Sequence, residues 1–169
     1  MKVCTGFKMM LLLNIMAVFF LSGCRNYIVP DPGAMALADA RIALPADGVR
    51  SAAWQGKDMV IEYSIVPDGT GFVVSGTTTI DDSITMSFPA ALNLQVKISF
   101  LDDQGRVLGT ADITPRYSAG YEADRPLSFT SAVVPPAGAS FFAFSYWGSF
   151  TGIPRERTEN WDINYFPFQ

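Results

Sequence analysis

Three hydrophobic patterns follow one another along the chain. An apolar run, Met9 to Leu21, interrupted only by Asn14, stands behind Lys2 and Lys8 and stops at Ser22-Gly23-Cys24. Residues 25–50 then show no period and are broken by Pro30, Pro32, Pro45, Gly33 and Gly48. From Trp54 the pattern takes up period two, the signature of half-buried strands. Met59, Ile61, Tyr63 and Ile65 fall on one face, and Pro67-Asp68-Gly69-Thr70-Gly71 is a dense turn signal. Phe72 to Ile80, rich in Val and Thr, suits a second strand, with Gly76 as a bulge or close-approach point. Asp81 to Leu92 lacks a period and reads as a connection. Between Asn93 and Leu101, Leu94, Val96, Ile98 and Phe100 alternate with polar residues, predicting one face on a core and one toward water. Asp102-Asp103-Gln104-Gly105 turns the chain into a returning strand, Arg106 to Ile113. Pro115 to Pro126 reads as a long surface loop. Leu127 to Val134 is a further strand, Ser140 to Trp147 is aromatic on both faces and so central, Gly148 to Thr158 reads as a loop, and Asn160 to Phe166 as a last strand.

A basic head, an apolar core of about a dozen residues and small residues at its end describe a secretory signal peptide. The run falls short of the roughly 20 apolar residues that span a bilayer. Leu21-Ser22-Gly23-Cys24 resembles the lipobox of bacterial lipoproteins. That resemblance implies a signal peptide over 1–23 and lipid on the sulfur and amino group of Cys24, which anchors the chain in a membrane. Several acyl chains on one residue hold nearly permanently, at about 0.8 kcal/mol per buried CH2. Arg25, where an aspartate would mark inner-membrane retention, makes the expected location the outer membrane. The bland alternative is ordinary cleavage and a soluble secreted product. Residues 24–50 read as the lipidated N-terminus and a tether, extended or partly docked, reaching about 28 Å as a flexible coil. An edge strand within it is the alternative. Residues 51–169 form the domain.

Strands divided by Gly, Pro and Asp turns, with no long helical period, predict an all-β protein and an antiparallel β-sandwich. VVSGTTT around Gly76, VKISFLDDQGRVLG (96–109) and LSFTSAVVPPAGASFFAFSYWG (127–148) resemble the bacterial FxLYD-type, immunoglobulin-like domains. Phe100-Leu101-Asp102 stands at that family's aromatic-x-Asp step and Pro136-Ala137-Gly138 at its Pro-Gly step, over roughly residues 72–148. The resemblance implies an immunoglobulin-like sandwich used as an envelope or surface module, and no catalytic residue is carried over.

Composition narrows the chemistry. Beyond residue 24, 10 basic side chains face 16 acidic ones, so phosphate neutralisation, and with it nucleic-acid binding, is a poor expectation. Cys4 and Cys24 are the two cysteines and there is no histidine. The domain thus lacks a thiol nucleophile, a Ser–His triad and His-ligated zinc. No cofactor or metal is expected. Carboxylate pairs remain: Asp81-Asp82 and Asp102-Asp103 fit turn chemistry better than calcium or acid–base work. Glu156, Glu159 and Asp162 beside Arg155 and Arg157 fit a solvated loop better than a glycosidase-like pair.

Among the aromatics, Phe141, Phe142, Phe144 and Tyr146 are expected in the core. Trp147, Trp161 and Tyr165 are the candidate binding aromatics, since flat rings anchor protein partners or stack on sugars. Trp161, Ile163 and Tyr165 share a strand face that either closes the core or offers an exposed edge. The resulting expectation is a lipid-anchored, noncatalytic bacterial envelope lipoprotein presenting a β-sandwich for protein–protein interaction or envelope assembly. The alternative is a glycan-binding module using exposed Trp and Tyr, and hydrolysis by a carboxylate pair stands third.

Overall fold

A computed structural model describes residues 28–45, 48–118, 121–152 and 159–169. Two antiparallel sheets pack face to face as an all-β sandwich. The smaller sheet has the order β2-β3-β4-β8: β2 (Arg50–Gln55), β3 (Met59–Asp68), β4 (Gly71–Ile80) and β8 (Leu127–Val133). The larger is built on β5 (Ala90–Leu101), flanked by β6 (Val107–Asp112) and β9 (Phe141–Thr151). The far side of β9 is shared by β1 (Ile42–Ala43) and β10 (Asn160–Tyr165), while β7 (Tyr121–Glu122) pairs with the start of β5.

Period-two burial creates this core. Met59, Ile61, Tyr63 and Ile65 of β3 meet Leu94, Val96, Ile98 and Phe100 of β5 and Phe142, Phe144, Tyr146 and Phe150 of β9. The β3–β4 hairpin closes through Gly69 at φ 58, a left-handed conformation that glycine takes without steric cost. Gly76 is the close-approach point: a Cβ there would run into the carbonyl of Glu62 on β3. In the β5–β6 turn, Asp102 Oδ1 accepts from the backbone N–H of Gln104 (2.9 Å) and Arg106 (2.8 Å), with Gly105 at φ 90.

The structure corrects several expectations. Of the extended and the partly docked tether, residues 28–45 show the docked one, so the packed residues reach back well before residue 51, where the domain was expected to start. Ile28, Ala36 and Ala40 are buried, and the backbone of 33–37 bonds to 105–107 on one side and to 167–169 on the other. Ile42–Ala43 supplies the edge strand that was the alternative. This segment lies over the outward face of the larger sheet, where Ala36 and Ala40 form a second cluster with Leu101, Val107, Ala143 and Phe168. The outer face of β5 is accordingly covered at that end: Ser99, expected toward water, is fully buried, as is Leu101.

Three connections also contain strand. Residues 81–92 hold a one-turn helix α1 (Asp82–Thr85) and the start of β5, and β9 continues through Gly148 to Thr151. The surface loop 115–126 contains β7 and the buried Ala123.

Candidate functional site

Cys24 lies outside the described residues, as do Arg155, Glu156 and Arg157. The three candidate aromatics are described, and they do not form one platform. Cross-strand register places Trp147 opposite Gln95 and Asn164, on the outward face of the larger sheet, where it is half-buried. Trp161 and Tyr165 pair with Phe150 and Tyr146, residues of the inter-sheet core, and so point to the other face. Tyr165 is part of that core: its ring stacks on Tyr146 (5.8 Å, 21°) and tilts against Trp54 (5.1 Å). Burial, with the charge of Asp39 adding to it, raises the Tyr165 phenol above its ordinary range. Trp161 sits at the open end of the sandwich, 51 % exposed, stacked on Phe88 at 5.7 Å. The last strand thus closes the core along most of its length and exposes one ring at its tip.

The other aromatics follow the same alternation. Phe142, Phe144 and Tyr146 are core, as expected. Phe141 faces outward and packs on the second cluster. Tyr117 is half-buried with its hydroxyl directed at the Leu94 carbonyl (3.5 Å), and burial raises its phenol.

Carboxylates serve the backbone. Asp81 caps α1, accepting from Ser83 N (2.9 Å) and Ser83 Oγ (2.6 Å), and those bonds hold its carboxyl below the usual range. Asp102 builds the β5–β6 turn described above. Glu159 and Asp162 are exposed. Among the described residues, no group of three or more His, Cys, Asp or Glu is placed to hold a metal ion.

Two features escaped the sequence reading. The first is a buried polar pair: Tyr146 Oη donates to Asp58 Oδ2 (2.9 Å) and accepts from the Asp58 N–H (3.2 Å). Burial, reinforced by the Asp58 carboxylate, pushes the Tyr146 phenol far above its ordinary range. No spacing rule connects two residues 88 positions apart. The second is an open groove of about 570 Å3 between the β6 and β8 edges, lined by Asp112, Thr114, Arg116, Phe129 and the hydroxyls of β8. Asp112 is tied to Lys97 at 2.6 Å. Its burial would raise the carboxyl, but the bonds from Lys97 and Thr114 outweigh it and hold it below the usual range. One carboxylate, one guanidinium and several hydroxyls can hydrogen-bond a ligand. Asp112 is the one acid among the described lining residues.

The class these observations define is an all-β sandwich of two antiparallel sheets with an N-terminal segment laid over one of them. Comparison of the chain with protein-family models, curated proteins and solved structures finds no match.

Proposed function

We propose that this protein is a lipid-anchored, noncatalytic envelope lipoprotein that presents its β-sandwich to a protein partner, at the outer membrane of a bacterium. The observation that carries the reading is the sequence Leu21-Ser22-Gly23-Cys24 at the end of an apolar run, Met9 to Leu21, that only Asn14 interrupts. The mechanism is confinement: a module held at a membrane meets a partner there at a raised effective concentration. Within this reading the sandwich is immunoglobulin-like in its two packed antiparallel sheets. Its order, with the meander β2-β3-β4 in one sheet and β8 returning beside β4, differs from the ABED/CFG arrangement of antibody domains.

A second reading, glycan binding, is favoured by one observation: Gln95, Trp147 and Asn164 form a cross-strand row in which two amides flank an outward indole. The facing of Trp161 and Tyr165 toward the other side of the sheet counts against a continuous aromatic platform.

In-cell crosslinking of the native protein, beside a Cys24→Ser control, decides between them. Reproducible protein adducts that disappear in the control are the expected result. Retention of the domain on envelope polysaccharide without protein adducts would replace the first reading by the second. A control with unchanged location and unchanged adducts would remove the lipoprotein premise.

A further inference from the structure

The first described residue is fixed in the fold. Ile28 is 3 % exposed, and its carbonyl accepts a 2.8 Å hydrogen bond from the buried Ser145 Oγ of β9. Ser145 precedes Tyr146, which lies in the inter-sheet core, so Ser145 belongs to the outward face of the larger sheet. Four residue steps separate Ile28 from Cys24. At 3.3–3.6 Å per residue they span at most about 14 Å. An acyl group on Cys24 would therefore start within that distance of Ile28, half the reach of the freely coiled tether.

Exposed apolar side chains gather at the same place. Val29 follows Ile28 and is 38 % exposed; Leu37 and Phe166 are 40 % and 41 % exposed. The Leu37 N–H donates to the Pro167 carbonyl (2.9 Å), next to Phe166. Phe166 follows Tyr165, whose register partner is Tyr146, the neighbour of Ser145. The Phe166 ring lies 5.1 Å from that of Phe168, which belongs to the second cluster on this face. Trp147, two residues beyond Ser145, continues the same face.

We propose that this outward patch, with Val29, Leu37, Phe166 and Trp147, is a membrane-contacting surface, and that its occupant is the lipid bilayer into which Cys24 is anchored. The inference rests on the lipid-anchored reading given above. The short connection brings this side down onto the bilayer, and apolar and indole side chains settle at the boundary of headgroups and acyl chains. Arg41, on the docked segment, donates to the Ala36 carbonyl (2.8 and 3.1 Å), so the proposed contact is the apolar one. The smaller sheet then points away from the membrane, toward a partner.

The test uses the full-length protein purified from membranes and placed in phosphatidylcholine vesicles whose acyl chains are brominated near their carbonyl ends. Mass spectrometry first reports acylation of Cys24. An unacylated Cys24 overturns the anchoring reading and the short connection with it. In acylated protein carrying Trp54→Phe and Trp161→Phe, the emission of Trp147 is expected to fall at least two-fold relative to unbrominated vesicles. In the companion carrying Trp54→Phe and Trp147→Phe, Trp161 is expected to lose less than a fifth. Equal quenching of the two rings in acylated protein overturns the proposal while leaving the anchor intact. Adding Val29→Ser and Phe166→Ser, both at exposed positions, is expected to halve the quenching of Trp147 with an unchanged circular dichroism spectrum; no change overturns the role of the patch. A photo-crosslinking residue at position 166 in cells is expected to capture lipid, and capture of a protein there would overturn the assignment of the occupant.

Discussion

Tyr146 is the residue on which the polar content of the core turns. Its hydroxyl both donates to and accepts from Asp58, so removing it leaves a buried carboxylate oxygen and a buried N–H without partners. Unpartnered buried polar groups cost about 1–3 kcal/mol. Tyr146→Phe is therefore expected to lower unfolding free energy by about 1–3 kcal/mol in urea melts, and a loss below about 0.3 kcal/mol would mean that water replaces the hydroxyl. The pH dependence has a definite sign. Because folding raises this phenol above 10, its contribution is present below pH 10 and is lost as pH climbs through the folded value. Tyr146→Phe is expected to flatten that alkaline loss. The aromatic character of Tyr146 and its place in the core were legible from SFFAFSYW. The role of its hydroxyl was not, because Asp58 reaches it only through the packing of the two sheets.

Elements in this fold are as legible as their periods are clean. β3 and the main part of β5 show uninterrupted alternation, and both were readable. The start of β5 was not, because the β5–β9 register shifts between Ala91 and Asn93. Such a bulge inserts one residue and puts Ala91 and Leu94 on the same face, which breaks period two. The end of β9 was hidden differently: Gly148 and Ser149 have low strand propensity, yet both are held by pairing with β5 on one side and β10 on the other. Gly148 also leaves room for Leu94 and Ile163, whose side chains would lie 3.2 Å from a Cβ there. The sharpest element-level prediction concerns the β3–β4 pair. Gly76→Ala would force a methyl group into the Glu62 carbonyl, backbone against backbone, with no flexible side chain to yield. Its expected cost is about 3 kcal/mol or more, at the upper end for overpacking, read as a lowered urea midpoint.

For the molecule as a whole, the docked segment 28–40 decides how much of the larger sheet is interior. It covers Leu101, Val107 and Ala143 and brings Ala36, Ala40 and Phe168 into contact with them. Burial of a single Leu, Val or Phe side chain contributes about 1.5–3 kcal/mol. A domain beginning at Arg41 is accordingly expected to lose about 3–5 kcal/mol relative to one beginning at Ile28, measured by equilibrium unfolding. A free tether would cost almost nothing to remove. By itself the sequence determined the strand content, the turns, the faces of β3 and β5, the central place of β9 and the short list of chemistries open to a domain without thiols or imidazoles. These are local properties, set by side-chain alternation, by Gly and Asp turn preferences and by composition. Tertiary structure alone decided that residues 28–45 dock, that Trp147 is parted from Trp161 and Tyr165 by the thickness of a sheet, and that Asp58 meets Tyr146. Docking of 33–37 is made through backbone hydrogen bonds to 105–107 and 167–169, and backbone groups carry no residue-specific signature for a sequence to show.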